Sequence, residues 1–123
     1  MIQEKDPNVY KGNDYMPRLR LEQDDPDTGL PIDAVEIADL FVWISATDDG
    51  AEINAALKVP AAELSAKPGT YRGSIVGASI DQFLFGSGAN DFAGKDVYII
   101  AANTGGNVRG VERVKALRAR RLS

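Results

Sequence analysis

The densest group of side chains with chemical potential is the run Asp24-Asp25-Pro26-Asp27-Thr28-Gly29, with Asp33 shortly beyond it. Alternating carboxylates in a short loop are how a chain gathers oxygen ligands for calcium. Asp25, Asp27 and Asp33 are therefore the candidate metal ligands. The run stops short of an EF-hand loop, since the third ligand position is missing, no Glu closes it, and Pro26 stiffens it. Asp, Pro and Gly are also the residues that make tight turns, so a solvated hairpin turn accounts for the same sequence without a ligand. The turn is the favoured reading, and no metal or other cofactor is expected. The alternative is a carbohydrate- or calcium-binding module using the loop from Asp24 to Asp33.

Other clusters carry less. Asp48 and Asp49 are adjacent, so their side chains diverge, whereas a paired general acid and base must converge on one substrate. Completing such a pair would take Asp33, Glu36 or Asp39 from across a sheet. Gly86-x-Gly88 and Gly105-Gly106 have neither a following helix nor a Lys-Ser/Thr pair, and without a helix N-terminus there is no amide array to hold phosphate. They are read as turns. The 123 residues include no His and no Cys. That excludes imidazole acid–base chemistry, Ser-His-Asp triads, cysteine nucleophiles, disulfides and thiolate metal sites. No catalytic residue is assigned, and a non-enzymatic protein is expected.

The formal net charge of −4 conceals a split. Met1 to Asp49 holds twelve acids against four bases, a net of −8, and the remainder holds ten bases and six acids, a net of +4. The positive charge gathers in Arg109, Arg113, Lys115, Arg118, Arg120 and Arg121. An acidic front and a basic tail suggest head-to-tail complementarity with other copies or with different subunits. Arg109, Arg118, Arg120 and Arg121 are the candidate partner-binding residues at that end. The tail has no aromatic residue on which bases would stack, and the chain is acidic overall, so nucleic acid is not the expected partner. No run approaches the roughly 18 apolar residues of a membrane span, and Met1 to Tyr15 is polar, with no apolar core of a signal peptide.

The elements that must carry these residues read mostly as strands. Met1 to Met16 is polar and aperiodic, and is expected to form an extended arm with Pro7 and Gly12 as breakers. Arg18 to Gln23 alternates apolar and charged residues, as a half-buried strand does. Asp24 to Pro31 is a loop. Ile37 to Thr47, rich in β-branched and aromatic residues, is a second strand; Asp48-Asp49-Gly50 is a hairpin turn, and Glu52 to Val59 a third strand. Pro60 to Leu64 reads as one helical turn with Pro near its start. Thr70 to Val76 is a strand with Tyr71, Gly73 and Ile75 on one face, and Ile80 to Phe85 an apolar bend or short strand. Lys95 to Ala102 and Val108 to about Ala116 form the last pair around a Gly105-Gly106-Asn107 turn. Val111 to Leu122 also fits a helix, though a strand running into a basic extension is favoured. Trp43 and Tyr71 are expected in the core. The fold expected is an all-β, Ig-like antiparallel β-sandwich of six to eight strands over residues 17–117, with an arm over 1–16 and a basic tail over 118–123.

Leu64, the run Pro68-Gly69-Thr70-Tyr71-Arg72-Gly73-Ser74-Ile75, and Val97-Tyr98-Ile99-Ile100 together resemble the Ig-like β-sandwich domains of tailed-phage virions. The entry into the first strand, Tyr10-Lys11-Gly12-Asn13-Asp14-Tyr15, is similar to the openings of phage tail, baseplate and head–tail connector proteins. The resemblance covers roughly Tyr10 to Lys115. It implies a non-enzymatic building block of a virion, assembled in the host cytoplasm. Its implied partners are other copies of itself and other virion structural proteins. Tyr10 and Tyr15 on the arm join the basic residues as candidate partner-binding positions, with the sandwich acting as spacer.

Overall fold

In the computed structural model, residues 7–106 and 108–118 are described. Two sheets and a separate hairpin organise them, and the fold is all-β and sandwich-like. The larger sheet is built on Asp96–Asn103, called β9 here, its central strand, in which Val97, Ile99, Ile100 and Ala101 are buried. Its neighbours are β5 (Leu40–Ser45) on one side and β10 (Arg109–Leu117) on the other. Short edge strands complete it, β6 (Lys58–Pro60) beside β5 and β1 (Val9–Tyr10) beside β10. The smaller sheet has the order β2 (Arg18–Arg20), β8 (Lys67–Arg72), β7 (Ala62–Leu64). The hairpin pairs β3 (Glu22–Asp24) with β4 (Pro31–Asp33).

The alternation read in the sequence is what builds the core. Val97, Ile99 and Ala101 of β9, Val42 and Ile44 of β5, and Val114 of β10 all point to the same side. Leu19 of β2 and Tyr71 of β8 close over them from the smaller sheet. The two layers come closest at two glycines. A Cβ on Gly73 would stand 2.3 Å from Val42 Cγ1, and one on Gly110 would stand 2.6 Å from Leu21 Cδ2. Both positions lack a side chain because the opposing layer occupies that space.

Several elements differ from the sequence reading. Pro60 to Leu64 is the end of β6 and the whole of β7 rather than a helical turn. Pro60 is tolerated because β6 is an edge strand, where a missing N–H breaks no ladder. Ile80 to Phe85 is not a bend or strand: Gly77–Leu84 forms a helix, α1, with Ile80 and Leu84 fully buried. Among the described residues there are ten strands where six to eight are expected, the additional ones being only two or three residues long. All ladders are antiparallel except β1–β10, which is parallel. Val111 to Leu117 is strand, the favoured of its two readings.

Residues 7–16 lie along the domain itself. Val9 and Tyr10 pair with Ala116 and Leu117, and both are buried. Asn8 accepts from the Lys115 N–H at 3.0 Å. The Gly12 N–H donates to Asp81 at 2.7 Å, and Asp14 accepts from the Gly77 N–H at 2.7 Å, at the first residue of α1. A carboxylate there satisfies an orphan helix donor and complements the helix dipole. Tyr15 exchanges backbone bonds with Ile75 and donates its hydroxyl to the Pro7 carbonyl at 2.6 Å.

Gly73→Ala tests the sheet contact. The added methyl cannot fit without moving Val42, so the variant is expected to lose about 1–3 kcal/mol in urea unfolding. Wild-type stability in Gly73→Ala would show that the layers are not in contact there.

Candidate docking surfaces

The acidic run forms the tip of the β3–β4 hairpin, and its geometry is that of a rigid turn. Asp25 N–H donates to the Leu30 carbonyl at 2.8 Å, and the Gly29 N–H to the Asp25 carbonyl at 2.8 Å. The Asp25 carboxylate accepts from the Asp27 N–H at 2.8 Å, and Thr28 Oγ1 from the Leu30 N–H at 3.2 Å. Gly29 sits at φ 73°, where a Cβ would be strained. Every one of these bonds orders the backbone and leaves the tip projecting. Asp33 lies at the other end of the hairpin, opposite Glu22, and both carboxylates receive Arg20. The structure therefore does not bring Asp25, Asp27 and Asp33 together. Among the described residues no three acidic side chains converge on a point that would hold a metal ion.

The hairpin has two unlike faces. Arg20 bridges both Glu22 and Asp33 on one side, so the negative charge at its base is partly offset. Asp24, Asp25 and Asp27 at the tip form no ion pair among the described residues. The other side carries Ile32, with Leu30 at the turn and Val35 just past Ala34; these are 38%, 63% and 41% exposed. Ala34 and Leu21 at the hairpin base are buried, so the apolar stripe starts in the core and runs out into solvent.

The outer face of the larger sheet is aromatic and already partly covered. Trp43 is half-buried on this face and not in the core, which corrects the sequence reading. Its Nε1 donates to the Gly50 carbonyl at 2.8 Å. Lys58 lies 4.8 Å from the Trp43 ring centre and 5.4 Å from that of Phe41, and it pairs with Glu52 at 3.0 Å. The loop from Thr47 to Ala51 folds over Ile100, which is fully buried although it faces outward. Arg109 holds this loop by donating to the Asp48 carbonyl at 3.0 Å. The Thr47 hydroxyl, then the Ala51 N–H, and more weakly the Arg109 charge hold the Asp49 carboxyl below its ordinary pKa.

Tyr71 is 2% exposed, as expected of a core residue. Its hydroxyl donates to the Ala34 carbonyl at 2.8 Å and accepts from the Ile37 N–H at 3.1 Å. Burial pushes its pKa up. The two bonds fasten the base of the hairpin to the smaller sheet.

The proposed partner-binding residues are scattered. Tyr10 is 7% exposed and packed within its own domain, and Tyr15 is half-buried. Arg109 serves the Asp48 loop. Arg118 pairs with Asp91 at 3.2 Å and lies 6.0 Å from the Phe85 ring centre. Arg120 and Arg121 lie outside the described residues. Sequence reasoning passed over Arg18 and Arg72, which stand directly opposite each other on the outer face of the smaller sheet. Both are exposed, and neither has an acidic partner among the described residues. The alternation of Arg18 with Leu19 was the available signal, but its cross-strand neighbour is set by tertiary pairing.

Beside the edge strand β2, a cleft of about 280 Å³ is lined by Tyr15, Arg18, Leu19, Lys67, Ile99 and Glu112, among others. Among the described residues Glu112 is the acid of this lining, and burial pushes its pKa up. No family model, curated protein or solved structure matches the chain. Fold and surface together define an all-β sandwich-like protein whose exposed features include an acidic hairpin tip and a cross-strand arginine pair with no acidic partner among the described residues.

Two measurements follow. Because Glu112 binds its proton more tightly when folded, the folded state loses stability as pH rises from the unfolded carboxyl's range through the raised folded value. Glu112→Gln is expected to be more stable than wild type at neutral pH, with the gap closing at acid pH; an equal gap at both would show no such linkage. Millimolar calcium or EDTA should leave Tm unchanged, and a clear calcium-dependent rise would restore the hairpin as a metal loop.

Proposed function

We propose that this chain is a non-enzymatic structural subunit of a tailed-phage virion, in a tail, head–tail connector or decoration role, working by protein–protein docking. The observation that carries the reading is the β3–β4 hairpin. A two-stranded hairpin is marginal in water on its own, and this one leads its apolar stripe away from the core into solvent. Burying Leu30, Ile32 and Val35 against a partner removes that exposure. The internally bonded turn means little ordering entropy is lost when it does so.

The strand and turn pattern that resembles Ig-like virion domains supports the same class, as does the lack of His and Cys. The localisation that follows is the virion. Its partners are other copies of the chain and other virion structural proteins.

Mass spectrometry of density-purified particles from the source of this sequence tests the reading. The chain is expected there at a fixed ratio to the major structural proteins, in step with particle number across gradient fractions. Its absence from intact particles would overturn the virion assignment.

A further inference from the structure

We infer that the acidic tip of the β3–β4 hairpin docks on the outer face of the smaller sheet of a second copy, against the cross-strand arginines Arg18 and Arg72. The inference rests on the docking role proposed above and names its partner as this chain itself.

Two sets of charges in the same molecule form no ion pair among the described residues. On the face formed by β2, β8 and β7, Arg18 and Arg72 are directly paired across the strands. Like charges in that position repel, so the arrangement weakens the fold that carries it. Arg20, the next outward residue on β2, is neutralised by Glu22 and Asp33. Arg18 and Arg72 are left as an isolated cationic pair. Their neighbours on this face are Thr70 and Ala62, small residues that stand clear of an approaching loop.

The tip acids are the converse. Asp24 and Asp27 are exposed, and neither side chain accepts a bond or ion pair among the described residues. Asp25 spends one oxygen on the Asp27 N–H. The fold separates the two sets: β2 continues into β3, which carries the tip away from Arg18 in extended conformation. The hairpin is held by its own turn bonds and by Arg20 at its base, and its tip does not reach back to the arginines. A second copy can bring an acidic tip there, and its Leu30 would then approach the same face.

The contact joins unlike surfaces, since one copy gives its hairpin and the other its sheet. Made in one direction and repeated, it generates a ring or a filament; made reciprocally by two copies, it closes a two-fold dimer.

Sedimentation velocity of the full chain over a concentration series, at low and high salt, tests this. Wild type is expected to associate with rising concentration and to return to monomer in high salt, because the attraction is between charges of opposite sign. Arg72→Glu should weaken association about tenfold or more. It should do so with Tm at or slightly above wild type, because the change turns a repulsive cross-strand pair into an attractive one. Asp24→Lys with Asp27→Lys should weaken it similarly while keeping Asp25, which the turn needs. An equimolar mixture of that double variant with Arg18→Glu/Arg72→Glu should associate again, since each presents the charge the other lacks.

Association unchanged in the variants overturns this interface and leaves docking through other surfaces standing. A chain that stays monomeric at every concentration also overturns it; detection in purified particles then still supports the subunit role. Failure of the mixture to associate, with both variants folded, overturns the charge pairing itself.

Discussion

The close approach of the two layers at Gly73 and Gly110 governs the rest of the molecule. With a Cβ at either place, Val42 or Leu21 would have to move by more than a core tolerates. Because the gap is so narrow, the side chains between the layers are of modest size: Val42, Leu19, Ala101 and Val114, with Tyr71 the largest. Tyr71 fits because its hydroxyl leaves the apolar layer and finds Ala34 and Ile37 at its margin. That exit fixes where the β4–β5 connection runs. The hairpin, which precedes that connection, is consequently held at its base and free at its tip.

The segment over residues 7–16 shows the same economy of satisfied polar groups. Its carboxylate Asp14 accepts from the first N–H of α1, a helix whose own preceding residue, Val76, offers no side-chain cap. Asp81 on that helix answers by accepting from Gly12. Gly77 also lets the segment pass close, with a Cβ there falling 3.0 Å from the Asn13 carbonyl carbon. Helix and segment complete each other, so neither would be ordered in this form without the other.

How much of this the sequence discloses depends on how local each cause is. β5 and β9 are legible because six and eight residues rich in β-branched and aromatic side chains outweigh any competing local choice. The turn at Asp25 to Leu30 is legible because its bonds are all within the run itself. Helix α1 is hidden: it opens on Gly77, has no local cap, and takes its N-terminal partner from 63 residues away. β7 is hidden because Pro60 is equally suited to opening a helix and to ending an edge strand. Trp43 is placed on the wrong face for a related reason. A strand in the middle of a sheet covered on both sides is apolar throughout, and alternation no longer tells its faces apart. For the surface, composition exposes the acidic run, whereas the Arg18–Arg72 pair exists only through the register of β2 on β8.

The charge split along the chain acquires a different meaning once folded. Among the described basic residues near the C-terminal end, three are engaged at home: Arg109 with the Asp48 loop, Lys115 with Asp96, Arg118 with Asp91. Likewise the acids at the hairpin base share Arg20. Linear charge blocks therefore overstate the polarity of the surface, and what remains is set by the unmatched residues alone. A cross-strand arginine pair costs stability in an isolated chain, and exchanging either residue for a neutral one would relieve it. In the contact inferred above, the charge of that pair would be balanced from outside the chain. The molecule carries the complementary acids on a rigid element that projects away from its own core.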